Sequence, residues 1–403
     1  MRYSSCFTYV LSIVISATLV IVGHSFVLQR SLNGPTHYLT IGGDTNNYVS
    51  MAEGDFSSVG FPYRYRVIVP LIASLLPFSP TEALRVISYV SLFTCYVLLL
   101  LTCSKLGLDT YMSVGGLLTV FVSTWHIYNY HNPFLTDAFA LMALSAMIFS
   151  LIHGSFLIFA ISAIVGVLAR ETTIFLVPVW SVARGWRKGI LLVAVTIVVF
   201  LIPRFIFPSG LSLIEQLTTH FRYVDAFGNP FFFIEGIAKS WGFTWFLALI
   251  GIFLIPIESF ISVGSAFGLL LLGAFLFSLI AVDTQRMYSI LTPVLVIPCA
   301  QLFAELKKQI GSGLWALILI GLVVGQGFFS LPNIFFGKKS WVFMNIWPRL
   351  VLQILGVICG LCIIFVLREL LLREVREKAT EIRTIMLKRH CSRRRPASWK
   401  RSE

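Results

Sequence analysis

Residues 11–22 read LSIVISATLVIV, and residues 355–367 read LGVICGLCIIFVL. Both stretches are apolar on every face, whereas strands of an outer-membrane barrel alternate apolar and polar residues over about ten positions. Apolar runs long enough to cross a bilayer as α-helices, about 18 residues or more, recur along the chain. The sequence therefore predicts an all-α polytopic membrane protein.

The composition points the same way, because 57% of the 403 residues are hydrophobic and 12% are charged, against about 25% charged residues in a soluble domain. The first apolar run is longer than a signal-peptide core of about 7–15 residues, so we interpret it as a retained span. Hydropathy predicts about 12 transmembrane helices, with short or re-entrant helices near the outer face. The predicted spans are 7–29, 84–103, 110–128, 133–152, 154–169, 172–183, 189–207, 241–257, 260–282, 287–304, 314–330 and 349–367.

The formal net charge is +13, and the basic excess is concentrated after Arg368 in RELLLREVREKATEIRTIMLKRHCSRRRPASWKRSE. A basic tail can bind nucleic acid. A tail that directly follows a span is more typical of contact with the anionic lipids of a cytoplasmic leaflet. We therefore expect residues 1–367 to form one transmembrane domain, and residues 368–403 to bind membrane lipids and no nucleic acid.

Lysine and arginine counts also predict the orientation of the spans. An even number of spans leaves both termini on the basic, cytoplasmic side. Loops that carry Asp44, Asp137, Arg170 and Asp283 then share the opposite face. Because these loops were not used to assign the orientation, their common location supports a site at the outer face.

The first outer loop contains GGDTNNY at residues 42–48 and FPYRYR at residues 61–66. Asp44 follows two glycines and can act as a general base toward a hydroxyl, or it can be a turn or cap residue with Tyr48 facing the core. Arg64 and Arg66 would share one side of an extended chain, where they can bind a phosphate or reach lipid headgroups.

Other polar residues interrupt later apolar segments. His131 and Asp137 lie in HNPFLTD, where Asp137 either complements a helix dipole or orients sugar hydroxyls. Arg170 and Glu171 break a stretch that we interpret as two short helices. A charge at a span centre costs about 2.5–3.5 kcal/mol, so these two residues either pair with Asp283 and Arg286 or line a polar cavity. Glu82, in contrast, fits a capping box that begins at Ser79, with Arg85 as its partner one turn later.

Three of these motifs resemble the GT-C glycosyltransferase superfamily, which uses polyprenyl-phosphate-linked sugars. They are the first-loop acid with its arginine run, GVLARETTIFLVP at residues 166–178, and AVDTQRMYSILTPVL at residues 281–295. The resemblance implies a GT-C-like module over residues 1–207, followed by helices over residues 208–367. It implies Asp44 as the catalytic base. The substrate-binding residues implied are Tyr48, Arg64, Arg66, His131, Asp137, Arg170, Glu171, Asp283 and Arg286.

The function implied is transfer of a sugar from a polyprenyl-phosphate donor to a lipid- or polymer-linked glycan acceptor at the outer face of a bacterial inner membrane. A common family form has a second acid close to the first, whereas GGDTNNY has asparagines there, so we expect no cofactor and leave a divalent cation without support. A polysaccharide polymerase or ligase is an alternative, as is a non-enzymatic flippase or transporter of lipid-linked sugars.

The orientation gives a first testable prediction. Single cysteines introduced at positions 46 and 284 should react with a membrane-impermeant maleimide from outside the cell. A cysteine in the basic tail should react only after the membrane is opened. Labelling of position 46 or 284 from the cytoplasm would remove the argument for a shared outer site.

Overall fold

The computed structural model describes residues 2–33, 44–207, 215, 237, 240–278, 288–322 and 362–380, apart from positions 61, 124, 125, 127, 128, 131, 312, 317 and 364. Every regular element in these ranges is helical, which confirms the all-α class. The α-helices include α1 (Arg2–Asn33), α2 (Asp44–Ala52), α3 (Ile68–Ser74), α4 (Pro80–Lys105), α5 (Thr110–Phe121), α6 (Asp137–His153), α7 (Phe156–Ala169), α8 (Val179–Ala183), α9 (Trp186–Ile206), α10 (Thr244–Ile252), α11 (Ile257–Ser278) and α12 (Thr292–Ile310). Short 3-10 helices cover Tyr63–Tyr65, Glu171–Leu176 and Tyr288–Leu291.

Five helical stretches in the described part of the chain are long and apolar enough to cross a membrane, by length and composition. This supports an integral membrane protein. Several shorter apolar helices pack among them. The five stretches are Phe7–Ser25, Pro80–Lys105, Trp186–Ile206, Ser259–Phe277 and Tyr288–Ile310.

Helices α4 and α6 run in the same direction side by side. Near their beginnings, the Arg85 guanidinium lies 5.6 Å from the centre of the Phe134 ring, just before α6. Further along, Cys95 Sγ lies 3.1 Å from Ser145 Oγ. The two contacts are about ten residues apart along each of the two segments and follow the same order. The amino-terminal ends of α4 and α6 therefore lie at one end of the bundle.

At the opposite end of the bundle, basic residues contact the ends of neighbouring helices. Arg184 donates from Nε to the Leu151 carbonyl at 2.8 Å, which places the end of α8 beside the end of α6. Lys307 Nζ lies 3.7 Å from Asp109 Oδ2, which places the end of α12 beside the start of α5. We call this end of the bundle the basic end. We call the opposite end, where α6 begins, the acidic end.

The expected span 110–128 is helical as far as Phe121, and the expected span 133–152 begins as α6 at Asp137. Between them Val122 and Ser123 leave the helix, whereas His126, Asn129 and Tyr130 are helical again. The polar side chains Ser123, His126 and Asn129 are buried. His126 Nε2 lies 2.5 Å from Tyr96 Oη, which lies 2.7 Å from Tyr130 Oη. The predicted span 110–128 is therefore interrupted after Phe121, where Val122 ends the helix.

The predicted break at Arg170 is confirmed. Helix α7 ends at Ala169, and Arg170 has extended backbone before the 3-10 helix Glu171–Leu176 begins. Thr173 Oγ1 donates to the Gly166 carbonyl at 2.8 Å and so satisfies a carbonyl at the end of α7. The chain therefore turns at the acidic end and presents Arg170 and Glu171 there.

The predicted cap at the start of α4 is present, with Ser79 as the N-cap residue. Ser79 Oγ accepts from the Glu82 backbone N–H at 3.3 Å and donates to the Glu82 carboxylate at 2.9 Å. The predicted pairing of Glu82 with Arg85 is wrong, because Arg85 lies over the Phe134 ring instead. A guanidinium is attracted to the face of an aromatic ring. The Arg85–Phe134 contact therefore also links α4 to the segment that precedes α6.

Two glycines let helix backbones meet closely around α12. A Cβ placed on Gly116 of α5 would lie 2.7 Å from the Val296 carbonyl oxygen. A Cβ placed on Gly251 of α10 would lie 2.0 Å from the Pro298 carbonyl oxygen. Because these obstacles are backbone atoms, a side chain at either position requires a helix to move.

We therefore expect Gly251→Ala to destabilise the protein by about 1–3 kcal/mol, the usual cost of overpacking. The matched control is Gly268→Ala in α11, where a Cβ would meet nothing within 4 Å. That change should be neutral or slightly stabilising, because alanine is the better helix former. Thermal unfolding in detergent measures both variants. Equal melting temperatures for the two variants would contradict the close α10–α12 contact.

Candidate functional site

Charged and phenolic side chains from four segments of the chain meet at the acidic end of the bundle. They come from α2, from the 3-10 turn Tyr63–Tyr65 with Arg66, from the start of α6 and from the break after α7. We call them the polar cluster. Its members are Asp44, Tyr48, Tyr63, Arg66, Asp137, Arg170 and Glu171.

Asp44 is the first residue of α2 and is half-buried. Its Oδ1 accepts a hydrogen bond of 2.5 Å from Tyr63 Oη. Burial raises the pKa of Tyr63 and the Asp44 carboxylate raises it further, so Tyr63 stays protonated and acts as the donor. The carboxylate is therefore held at the acidic end with one oxygen fixed by the phenol.

Arg66 is buried and bonds to two other members of the cluster. Its Nη2 and Nε donate to the two carboxylate oxygens of Glu171 at 2.7 and 3.1 Å, and its Nη1 donates to Tyr48 Oη at 2.9 Å. Burial alone would lower the pKa of Arg66, but Glu171 and Tyr48 outweigh it, and the pKa is raised well above its ordinary value. Arg66 thus carries a permanent charge that Glu171 compensates.

Asp137 and Arg170 form a second ion pair, between Asp137 Oδ1 and Arg170 Nη1. Both side chains are buried, with exposed fractions of 3% and 1%. The pair joins the start of α6 to the end of α7, and it adjoins the first pair because Arg170 precedes Glu171. Asp137 is therefore a charged partner within the fold, in addition to being a first-turn acid.

Aromatic contacts connect the Arg66–Glu171 pair with Asp44. The rings of Tyr48 and Tyr63 meet edge to face with their centres 5.8 Å apart. The Arg66 guanidinium lies 5.6 Å from the centre of the Tyr63 ring. A displacement of Arg66 would therefore shift the phenol that holds Asp44.

Arg64 lies outside this cluster. Its Nε donates to the Val59 carbonyl at 2.6 Å and its Nη2 donates to the Ser57 carbonyl at 3.0 Å. The expectation that Arg64 and Arg66 share one side assumed an extended chain, and it is wrong because Tyr63–Tyr65 forms a 3-10 turn. With three residues per turn, side chains two positions apart diverge.

Arg64 instead fastens the loop before the turn. Ser57 and Ser58 donate backbone N–H groups to Asp55 Oδ1, each at 3.1 Å. The hydroxyls and amides of Ser58 and Ser57 lower the pKa of Asp55 to about 2, so the exposed carboxylate stays charged. The loop is ordered by Asp55 on one side and by Arg64 on the other.

The structure brings together five of the residues predicted from the sequence besides Asp44, namely Tyr48, Arg66, Asp137, Arg170 and Glu171. Arg170 and Glu171 pair with Asp137 and Arg66, whereas the sequence offered Asp283 and Arg286 as partners. His131, Asp283 and Arg286 lie outside the described residues. Across the described part of the chain, no group of three His, Cys, Asp or Glu side chains could hold a metal ion.

Sequence reasoning missed two residues at this end. Tyr63 was passed over because the neighbouring arginines carried the charge, yet it is the residue that contacts Asp44. Arg204, in the last turn of the apolar helix α9, was assigned to a span without a role. Its guanidinium lies 4.4 Å from the centre of the Tyr65 ring, and a charge near the end of an apolar run was the available signal.

No family model, curated protein or solved structure matches this chain.

The Arg66–Glu171 pair gives a prediction about stability. Removing one partner of a buried ion pair costs about 3–5 kcal/mol, because the other charge stays buried without compensation. We expect Arg66→Met and Glu171→Gln each to lower the melting temperature strongly, and the double variant to lose much less than the sum. Thermal unfolding of the four proteins completes the double-mutant cycle. Additive losses would mean that the two residues stabilise the fold independently.

Proposed function

We propose that this chain is a membrane glycosyltransferase of the GT-C type. It would transfer a sugar from a polyprenyl-phosphate donor to a lipid- or polymer-linked glycan acceptor. The proposal includes about 12 spans, both termini in the cytoplasm and a site on the outer face of a bacterial inner membrane. The observation that supports it best is the Asp44 carboxylate, half-buried at the acidic end and oriented by Tyr63.

In this proposal Asp44 accepts the proton of the acceptor hydroxyl as its oxygen bonds to the anomeric carbon of the sugar. The bond from that carbon to the donor phosphate oxygen breaks, and the lipid phosphate leaves with the bonding electrons. A general base needs a fixed orientation toward the proton that it removes. The hydrogen bond from Tyr63 to one carboxylate oxygen supports this role.

The two arginines that the sequence assigned to the leaving phosphate serve differently. Arg66 is bound to Glu171 and Tyr48, so we assign it the positioning of the turn that carries Tyr63. Arg64 is bound to loop carbonyls. Tyr48, Asp137, Arg170 and Glu171 would likewise support the site through the cluster, and their ion pairs keep it rigid.

The test is turnover by the purified full chain in nanodiscs, with a panel of labelled polyprenyl-phosphate sugars and glycan acceptors. Asp44→Asn should reduce turnover by about 10²–10⁴-fold, the usual contribution of a general base, at nearly unchanged melting temperature. Tyr63→Phe should give a smaller loss, because the carboxylate remains but is no longer oriented.

The matched control is Glu82→Gln, a second acid at the same end of the bundle. Glu82 belongs to the helix cap with Ser79, and glutamine can complete that cap, so turnover should stay at the parent level. If Asp44→Asn transfers sugar as fast as the parent, Asp44 is a helix-terminal residue and the mechanism fails. If the parent transfers no sugar from any donor of the panel, the proposed reaction fails as a whole.

A further inference from the structure

Arg204 is a cation of the acidic end that forms no ion pair with a carboxylate among the described residues. It lies in the last turn of α9, and its Nη1 donates to the Phe200 carbonyl at 2.7 Å. Among the described residues, none of its other N–H groups has a hydrogen-bond acceptor and no acid forms an ion pair with it; its Nε is also shielded from solvent. Glu171 attracts it from a distance, but both carboxylate oxygens of Glu171 already accept from Arg66.

Aromatic rings fix the Arg204 guanidinium in place. Its central carbon lies 3.6 Å from the centre of the Phe200 ring and 4.4 Å from the centre of the Tyr65 ring. Next to it, the rings of Phe207 and Phe56 stack with their centres 4.8 Å apart. A planar cation that rings already hold has little conformational freedom left to lose when a ligand binds. This favours binding of a matching anion.

The position of Arg204 along α9 indicates where such an anion would come from. Helix α9 has 21 residues, which at about 1.5 Å each give roughly 32 Å, close to the thickness of a bilayer's hydrocarbon core. The neighbouring side chains in its last turns are exposed apolar groups, namely Leu201, Ile202, Phe205 and Ile206. In a membrane that α9 crosses, the last turn would therefore lie at the level where lipid phosphates begin, and its exposed apolar side chains would face lipid.

We propose that Arg204, held by Tyr65 and Phe200, is a binding site for the phosphate group of a membrane lipid at the acidic end. The guanidinium fork matches two phosphate oxygens, and the exposed apolar side chains of α9 would contact the acyl chains. The proposal needs a membrane around α9 and does not depend on the glycosyl transfer proposed above.

The test uses native mass spectrometry of the purified full chain, released from detergent and titrated with phosphatidic acid. Diacylglycerol of the same chain length is the probe without phosphate, and inorganic phosphate is the probe without acyl chains. Arg204→Gln should weaken the tightest phosphatidic acid site at least about tenfold, which is about 1.4 kcal/mol. Diacylglycerol binding should stay unchanged.

Arg187→Gln is the matched control. Arg187 lies at the other end of the same helix, is exposed, and has the Trp186 ring 5.5 Å away. Its variant measures how much affinity for phosphatidic acid an exposed arginine provides by reaching lipid phosphates from the protein surface. We expect its removal to have little effect on the tightest site. If Arg204→Gln and Arg187→Gln weaken phosphatidic acid binding equally, Arg204 contacts lipid phosphates only as any surface arginine does, and the proposal is overturned.

Arg204→Lys keeps the charge and loses the fork. It should bind phosphatidic acid nearly as weakly as Arg204→Gln, and it serves as the decisive variant if the glutamine substitution prevents folding. Binding at the parent level by either Arg204 variant overturns the proposal. If millimolar inorganic phosphate displaces phosphatidic acid completely, the ligand is free phosphate and the assignment to a lipid is wrong.

Discussion

The burial of Arg66 is the constraint on which the acidic end depends. A guanidinium withdrawn from water must be neutralised and hydrogen-bonded, and here Glu171 and Tyr48 supply both needs. Those two partners belong to the break after α7 and to α2. One side chain thus fixes the relative positions of three segments that share no regular hydrogen bonding.

The second consequence of this constraint is the orientation of the 3-10 turn that precedes Arg66. In that turn Tyr63 reaches Asp44 and Tyr65 reaches Arg204. Arg64, between them, turns away to the loop carbonyls. The acid proposed for catalysis and the cation proposed for lipid phosphate therefore contact neighbouring residues of a single turn.

Local features of the fold could be predicted from the sequence, whereas the partners within the polar cluster could not. The Ser79–Glu82 cap and the break at Arg170 depend on residues a few positions apart, so spacing and helix propensity reveal them. The Arg66–Glu171 pair joins residues 105 positions apart, and no local pattern records it. The length of α5 was overestimated because the turn and bend at Val122 and Ser123, which end the helix at Phe121, lie within an apolar run and leave no mark in the hydropathy.

The two ion pairs also explain why so many charges can lie at this end of an apolar bundle. Arg66 with Glu171 and Arg170 with Asp137 are each neutral together, so neither pair imposes a net charge on what binds beside it. The field at the acidic end then depends mainly on residues outside the pairs. Among these, Asp44 is an acid that is half-buried, and Arg204 is a cation held against the Phe200 and Tyr65 rings. A molecule with an anionic lipid-linked group and a neutral hydroxyl would meet a cation at Arg204 and a hydrogen-bond acceptor at Asp44, beside paired charges that add no net charge of their own.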